Sequence, residues 1–411
     1  MMREAFYAEV SRDRLAALVA QTERPTYYFF SEMIRERIRR LRDCLGDRFH
    51  LHYAVKANPH PDILRLMATE GLGADVASAG EMRAANRAGI PFEAMEFSGP
   101  GKTEAELRAA VQAGVGTVNA ESLDEIRLLD RIARETGKTV FVGIRINPEL
   151  PVETGGIRMA GATQFGIDAA EMDDALAEIR KAGERLRFSG IHVHAGSQVL
   201  DSTHVVDTLE AVLELAQQAE SEGKMPCRKI NFGGGWGVPY FPGQEPLDLE
   251  LIAEELADLL DDSGYRQLVS RCRLILEPGR FLTAEAGVFA ARVLYRKRVR
   301  GREVAVLDGG MHQNYLIVGG MGQVIRRNFE MDAIPNPAAP PPEPMSLELD
   351  VAGPLCTPQD LLAERFAVYH QVRPGDSIVF FNCGAYGATA SPVDFLSHPR
   401  PEQILVEPAR A

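Results

Sequence analysis

The stretch from Gly73 to Gly99, GADVASAGEMRAANRAGIPFEAMEFSG, contains one copy of the pattern that decides the fold. Its two short apolar runs, GADVAS (73–78) and AMEFSG (94–99), predict buried β-strands. Between them, AGEMRAANRAG (79–89) spaces its apolar residues as a helix does and ends on a glycine, which predicts a helix that stops there. The stretch therefore predicts a strand–helix–strand unit of a parallel sheet.

The same unit recurs from about residue 49 to residue 280. The strand-like runs are FHLHYAVKA (49–57), GADVAS, AMEFSG, GTVNAES (116–122), TVFVGIRIN (139–147), FSGIHVHAG (188–196), KINFGGGWG (229–237) and RLILEPGR (273–280). Eight strands alternating with helices are typical of a (β/α)8 TIM barrel, which takes roughly 250 residues. A doubly wound open sheet is the alternative, but no GxGxxG follows the first strand.

A different pattern follows Arg280. The runs GVFAARVLYRKRV (287–299), REVAVLDGG (302–310), SLELDVAGPL (346–355) and DSIVFFNCGAYG (376–387) are rich in strand-forming residues and are separated by turns. PTYYFF (25–30) near the amino terminus has the same character. We therefore expect an α/β barrel over residues 33–283 and a β-domain, a barrel or sandwich, built from residues 1–32 and 284–411.

Composition narrows the class of protein. The 411 residues carry a net charge of −13, which argues against a protein that binds nucleic acid through phosphate contacts. The five cysteines show no spacing typical of a metal site, so we expect no metal and a reducing cytoplasm. The amino terminus is charged too early for a signal peptide, and no apolar run is long enough to span a membrane.

Unusual polar residues stand where the predicted barrel strands end, which is where barrel enzymes place their active sites. Lys56 ends the first strand, and a lysine buried there would be a good amine for a Schiff base. The glycines 233–235 after the seventh strand suit a phosphate, and Glu277 after the eighth suits a protonated ring nitrogen. Each feature alone has a plain structural explanation, but together they predict a pyridoxal-phosphate site.

Six motifs make the comparison with a known family specific. YAVKAN (53–58), HAGSQ (194–198), GGGWG (233–237), EPGR (277–280), GPLC (353–356) and GAYG (384–387) occur in this order. They resemble the motifs of the fold-type III pyridoxal-phosphate decarboxylases, the diaminopimelate and ornithine decarboxylase family. The resemblance covers nearly the whole chain and implies a barrel with a β-domain, pyridoxal 5'-phosphate as cofactor, and a homodimer with shared active sites.

The resemblance also implies roles for individual residues. Lys56 would hold the cofactor covalently, Glu277 would bind its ring nitrogen, and His194 would stack on the ring. Asp75 and Arg145 would form the polar setting around Lys56. The phosphate would be bound by Ser197, Gly234, Gly235, Gly279, Arg280 and Tyr386. Cys356 of the other subunit would return a proton to the substrate, next to Thr357 and Tyr386 as further substrate contacts.

The sequence CTPQD (356–360) also predicts a helix start, with Thr357 as its N-cap, Pro358 next and Asp360 in the first turn. A helix dipole there would favour the thiolate of Cys356. The family members that act on free diamines resemble one another in placing an acidic residue directly after this cysteine, where it binds the distal amine. Thr357 has no charge, so it offers such an ammonium no ionic partner.

Further motifs narrow the resemblance to a subgroup. IRMAGATQFG (157–166), GVPYF (237–241), VLYRK (293–297), DGGMH (308–312) and SPVDFLSHP (391–399) are similar to the decarboxylase of butirosin biosynthesis, which acts on a glutamyl group tethered to an acyl carrier protein. This implies an acidic aminoacyl substrate on a carrier. Three alternatives remain: a decarboxylase of free diaminopimelate, lysine or ornithine, a catalytically silent regulatory homologue, and, with least support, a racemase.

Carrier proteins are generally acidic, so a carrier would dock on a basic surface despite the negative net charge. The basic candidates are YRKRVRGR (295–302), RERIRRLR (35–42) and the pair Arg326–Arg327. The run at 35–42 is also explained by an ordinary solvated helix face.

Overall fold

The computed structural model describes residues 2–148, 157–221, 225–320 and 327–408. The chain divides into two compact units, of which one comprises residues 1–36, 239–245 and 282–411, and the other residues 37–238 and 246–281. The second is called the barrel unit below, and the first the β unit.

In the described part of the chain the strands are β1 (Thr26–Phe30), β2 (Phe49–Ala54), β3 (Gly73–Val76), β4 (Met95–Phe97), β5 (Thr117–Ala120), β6 (Val140–Asn147), β7 (Ile157–Arg158), β8 (Ile167–Asp168), β9 (Leu186–His192), β10 (Gly196–Ser197), β11 (Lys229–Asn231), β12 (Arg273–Leu276), β13 (Gly287–Val299), β14 (Arg302–Leu307), β15 (Met331–Ile334), β16 (Pro344–Ala352), β17 (Leu361–His370), β18 (Ser377–Phe380) and β19 (Glu402–Val406). The α-helices are α1 (Met2–Glu9), α2 (Arg12–Val19), α3 (Ser31–Leu45), α4 (Pro61–Thr69), α5 (Ala79–Arg87), α6 (Glu104–Ala113), α7 (Leu123–Thr136), α8 (Met172–Ala182), α9 (Ser202–Glu220), α10 (Leu249–Asp261), α11 (Arg266–Arg271) and α12 (Arg280–Thr283).

Parallel strands of the barrel unit close into a barrel. Their order is β5-β4-β3-β2-β12-β11-β9-β6, and β6 pairs with β5 to complete the circle. Each of these eight strands lies within one of the runs that predicted it, apart from a two-residue extension at the start of β9. The predicted TIM barrel is confirmed.

The barrel helices begin and end where local chemistry dictates. Ser78 Oγ accepts a hydrogen bond from Glu81 N and so caps the start of α5. Thr103 and Glu106 form a reciprocal capping box at the start of α6, which ends at Gly114 with φ of 78°. These caps satisfy backbone groups at the helix ends. They also fix the turns that connect strands to helices, and the polar residues of the rim lie at the strand ends beside such turns.

The β unit contains a mixed sheet with the order β15-β18-β13-β14-β16-β17, and β1 joins it by pairing with β13 and with β19. The amino-terminal strand β1 thus belongs to the same sheet as the carboxyl-terminal strands, in agreement with the predicted separate β-domain. Ahead of β1 lie α1 and α2, which the sequence did not indicate. The two helices bury apolar side chains at Phe6, Leu15 and Val19, and Val10, which lies between them, is buried as well. Among the described helices, none combines the length and the apolar character that crossing a membrane demands.

Candidate active site

Polar side chains gather at the carboxyl-terminal ends of the barrel strands. Lys56 follows β2, Asp75 lies near the end of β3, Arg145 lies in β6, His194 follows β9 and Glu277 follows β12. The charge of Lys56 acts on the pKa of Asp75, His194 and Glu277, and Arg145 acts on the last two. The structure therefore brings these five predicted residues together at one rim of the barrel.

Lys56 lies in a short 3-10 turn, Val55–Ala57, which follows the last residue of β2. Its side chain is 39% exposed, and Nζ is 3.7 Å from Asp75 Oδ2. The expectation of a buried lysine was wrong, because the strand stops at Ala54 and the turn carries the side chain outward. The amine lies at the rim, within reach of solvent and beside a carboxylate.

Two buried carboxyl groups face this rim. Burial raises the pKa of Asp75, and the nearby charge of Glu277 raises it further, while Lys56 opposes the shift. Burial likewise raises the pKa of Glu277. Glu277 Oε1 accepts a hydrogen bond of 2.6 Å from Asn231 Nδ2, and its Oε2 is 3.3 Å from His192 Nε2. Burying two acids together costs free energy unless a cation joins them.

The charge of Arg145 is matched by a neighbour that the sequence did not single out. Arg145 Nη1 donates to Glu121 Oε1 at 2.8 Å, and both side chains are buried. Glu121 also accepts from the backbone of Gly99 and Gly166. Although burial acts in the opposite direction, Arg145 and the other donors hold the pKa of Glu121 below its usual value. Arg145 is therefore fixed at the rim as half of an ion pair.

The glycine turn after β11 packs closely against the segment after β9. Gly233 and Gly235 have φ of 64° and 94°, and a Cβ on either would meet a backbone oxygen of that segment at 2.2 Å. Gly234 N donates to His194 Nδ1 at 3.1 Å. Burial, together with the charges of Lys56 and Arg145, lowers the pKa of His194 well below its ordinary value. His194 is thus a neutral imidazole with Nδ1 as acceptor, which places its proton on Nε2.

The remaining predicted barrel residues lie close by in the chain. Ser197 lies in β10. It follows Gly196, whose backbone oxygen packs against Gly235 of the glycine turn. Gly279 packs against the Lys56 turn, since a Cβ there would be 3.0 Å from those of Ala54 and Ala57. Arg280, which is buried, begins α12.

In the β unit, Cys356 is exposed on the loop between β16 and β17. The predicted helix at 357–360 is wrong, because these residues form a tight turn in which Asp360 N donates to Thr357 O. Asp360 explains the turn, since its buried carboxylate accepts from Met311 N at 2.6 Å and Leu355 N at 2.8 Å. Cys356 therefore has no helix dipole beside it in this turn.

Tyr386 lies in the β unit on the GAYG segment with a left-handed backbone, φ of 53°. The flanking glycines are packed tightly: a Cβ on Gly384 would overlap the backbone of Thr283, and one on Gly387 would overlap the Tyr27 ring. The segment is therefore held in one conformation by its neighbours in this unit.

Sequence reasoning missed residues that support the rim from inside the barrel. Asn231 and His192 contact Glu277, and a signal for His192 existed, because IHVHAG alternates it with His194. Deeper in the barrel, Lys229 Nζ binds the Glu96 carboxylate at 2.5 and 2.6 Å, with both side chains buried. Lys229 in KINFGGGWG and Glu96 in AMEFSG can be read from the sequence. Their ion pair cannot, because 133 positions separate the two residues.

Comparisons with known proteins agree with this geometry. Residues 31–284 match the model of the pyridoxal-dependent decarboxylase family, pyridoxal binding domain. The chain is 35% identical over 95% of its length to the L-glutamyl-[BtrI acyl-carrier protein] decarboxylase of Niallia circulans, covering 90% of that protein. It is 34% identical, with the same two coverages, to the diaminopimelate decarboxylase of Zymomonas mobilis.

Among solved structures, diaminopimelate decarboxylase from Helicobacter pylori complexed with L-lysine superposes with a TM-score of 0.84. That match has 26% identity and covers 96% of this chain and 94% of the other. With a closed barrel, an accessible lysine at its rim and buried acids beside it, the chain belongs to the family of pyridoxal-dependent decarboxylases.

Proposed function

We propose that this decarboxylase acts on an acidic amino acid, glutamyl or aspartyl, whose far end is tethered to an acyl carrier protein. The observation that carries the proposal concerns the turn after Cys356, in which Thr357 is uncharged and the side chain of Asp360 is buried. Thr357 is uncharged, and its Oγ1 accepts from Gln359 N at 3.3 Å. A relative that acts on a carrier-bound glutamyl group supports the same substrate class.

Asp360 cannot take the place of the missing acid. Its side chain is buried, and its two oxygens each accept from a backbone N–H, one of Met311 and one of Leu355. Because the carboxylate is buried, a substrate ammonium would have to lose its hydration to reach it. A free diamine therefore finds no carboxylate available on this loop, which disfavours the rival substrates. Decarboxylation of a free diamino acid is the second candidate function, because the chain has similar identity to a diaminopimelate decarboxylase.

The residues at the barrel rim fit pyridoxal phosphate, the cofactor of the family. A Schiff base requires an accessible primary amine, which Lys56 supplies. Asp75 and Glu277 are buried acids with raised pKa values, so a cationic ring nitrogen would offset the cost of ionising them. We propose that Lys56 holds the cofactor, that Glu277 binds its ring nitrogen and that His194 covers the ring.

The phosphate would be bound by backbone and side-chain donors on four segments. We propose Gly234, Gly235 and Ser197 beside the glycine turn, and Gly279 with Arg280 beside the Lys56 turn, with Tyr386 as a further donor. The tight packing of these glycines fixes their backbone N–H groups before any ligand binds.

The bound cofactor supplies an electron sink for the bond between Cα and the departing carboxylate. Glu277, held by Asn231, would place a negative charge beside the ring nitrogen and so stabilise positive charge there. We propose that Cys356 Sγ gives a proton to Cα after CO2 leaves. The neutral His194, with its pKa lowered, covers the ring without adding a competing charge.

We propose a homodimer in which Cys356 serves the site of the other subunit, as the family resemblance implies. All five cysteines are free thiols, which agrees with a reducing cytoplasm as the place of action.

A basic hairpin at the end of β13 is the better candidate for docking an acidic carrier. Lys297 and Arg300 form no ion pair within the described residues, and Tyr295 beside them is 67% exposed. Arg296 and Arg298, in contrast, both pair with Glu303, at 3.0 and 3.9 Å. We propose that Lys297 and Arg300 attract the carrier.

The other two basic candidates have weaker support. In α3, Arg35 pairs with Glu407, and Arg39 pairs with Asp43 four residues later. These ion pairs favour a structural role for residues 35–42. Arg326 lies outside the described residues, and Arg327 lies over the Phe241 ring at 5.7 Å.

The experiment that tests the function measures CO2 release by the holoenzyme from glutamyl and aspartyl groups on a carrier protein and from free glutamate, lysine, ornithine and diaminopimelate. We expect turnover of a carrier-bound substrate and little of the free amino acids. Fast CO2 release from a free diamino acid would make the proposal wrong, and no release from any substrate would favour a silent homologue.

The docking surface is tested by charge reversal. Lys297→Glu with Arg300→Glu is expected to raise the KM for the carrier-bound substrate about tenfold and to change the KM of a small glutamyl thioester less. The matched control reverses Arg39 and Arg40 in α3. Equal effects of the two reversals would remove the hairpin as the docking surface.

A further inference from the structure

The β unit contains a cavity of about 650 Å3 beside Thr357. Its walls include Met311, Tyr315, Gln359, Thr389 and Phe395. This volume lies within the range of roughly 300–1,000 Å3 that is typical of small-ligand sites. The cavity is therefore large enough for part of a substrate rather than for a single solvent molecule.

The cavity touches both segments of this unit that the family motifs assign to the active site. Thr357 on its wall follows Cys356 directly. On the other side, Ser391 Oγ accepts from Tyr315 N at 2.8 Å and donates to Gly387 O at 2.7 Å. Gly387 follows Tyr386, so these hydrogen bonds connect the wall to the GAYG segment. A ligand that reaches past Cys356 would enter this space.

The lining is electrically neutral. Among the described residues that line the cavity, none is an Asp, Glu, Lys, Arg or His. The described lining therefore offers no ionic partner to an ammonium or to a carboxylate. An uncharged distal group needs no such partner, so this lining suits it better than a charged one.

The lining offers two kinds of contact to a neutral chain. Met311 and Phe395 supply apolar surface. The side chains of Gln359 and Thr389 form no hydrogen bond within the part of the chain that the structure describes, so their amide and hydroxyl are available to a ligand. Apolar surface together with an amide and a hydroxyl group suits a flexible arm of methylene and amide groups, such as the pantetheine thiol on which carrier proteins hold their cargo.

We propose that this cavity binds the neutral, amide-containing arm of the tethered substrate and so selects for tethered over free amino acids. The inference rests on the proposed function, because it assigns a place to the tether of that substrate. Gln359 and Thr389 bind the amides of the arm, and the reacting amino-acid end projects towards Cys356.

The test compares glutamyl S-pantetheine with glutamyl S-methyl thioester, which lacks the arm. For the holoenzyme, we expect kcat/KM for the pantetheine ester to exceed that for the methyl ester. Thr389→Trp fills the cavity and is expected to lower this ratio at least tenfold. Gln359→Ala, which changes an exposed side chain and leaves folding intact, is expected to lower the ratio roughly three- to tenfold, the effect of one lost hydrogen bond.

Ser346→Trp, an exposed position of β16 that does not line the cavity, is the matched control and is expected to keep the ratio. If thioesters are decarboxylated but Thr389→Trp and Gln359→Ala keep the parent ratio, the cavity assignment alone is overturned. If only free amino acids are decarboxylated, both the proposed function and this inference fail. If Thr389→Trp converts a dimer to a monomer by analytical ultracentrifugation while Gln359→Ala keeps the parent ratio, the cavity belongs to a subunit contact and the assignment is wrong.

Discussion

Placing a carboxylate directly after Cys356, the proposed proton donor, tests the choice of substrate most directly. Thr357→Glu adds a negative charge at a half-buried position whose hydroxyl makes one hydrogen bond, accepted from Gln359 N. The backbone bond from Asp360 N to Thr357 O does not depend on the side chain, so the turn is expected to survive. The new carboxylate would supply the ionic partner that a distal ammonium lacks.

The size of the effect depends on how exposed the new carboxylate is. A hydrogen bond to a charged group contributes about 1.5–3 kcal/mol when it is shielded from water. At a half-buried site, screening lowers this to about 1–2 kcal/mol, which corresponds to a roughly 5- to 30-fold rise in kcat/KM for free lysine or ornithine. For the carrier-bound glutamyl substrate we expect a fall, because a carboxylate would now face a neutral arm.

The assay is CO2 release from each substrate by the parent, by Thr357→Glu and by the uncharged control Thr357→Gln. Only the charged variant should gain activity on free diamines, and the gain should shrink with added salt. An equal gain for Thr357→Gln, or none for Thr357→Glu, would show that the charge after Cys356 does not select the substrate.

The remaining predictions concern the two units separately. Lys56→Ala should lose the cofactor adduct that borohydride reduction traps in the parent, as measured by protein mass; a retained adduct would place the amine elsewhere. Cys356→Ala should keep that adduct but slow CO2 release or divert it to transamination, and unchanged turnover would remove Cys356 from the mechanism. Lys229→Met should lower the free energy of unfolding by about 3–5 kcal/mol, because it leaves Glu96 buried without its cation, and urea denaturation measures this. Because the pKa of Glu277 is raised in the folded protein, its contribution to stability is fully present below about pH 4.3 and is lost as the pH rises. The cofactor-free Glu277→Gln variant has no such carboxyl group, so its free energy of unfolding should fall less than that of the parent between pH 5 and 7.

The strands and helices of the barrel were predictable because their signals are local. A strand such as GADV and a helix such as α5 bury side chains at fixed spacing, and Ser78 marks the helix start within the same few residues. The rim residues Lys56 and Glu277 were predictable too, since each comes within two positions of the end of a strand. All strands of a parallel barrel end at the same rim, so residues at these positions lie there by geometry alone.

The features that the sequence did not reveal depend on distant partners. CTPQD has the residue types of a helix start, yet Asp360 turns inward because the backbone N–H groups of Met311 and Leu355 meet its carboxylate. One of those donors lies 49 residues away, so no local pattern distinguishes this turn from a helix cap. The Lys229–Glu96 pair was hidden for the same reason.

Asp360 also connects the fold of this loop with the proposed choice of substrate. A carboxylate three residues after Thr357 would be an alternative partner for a distal ammonium if it faced solvent. Here burial raises its pKa, and both its oxygens are occupied by backbone donors that shape the loop bearing Cys356. The acid on this loop is thus used to build it and is unavailable to a ligand. The loop can therefore present Cys356 beside neutral groups only, which is what the proposed tethered aminoacyl substrate requires.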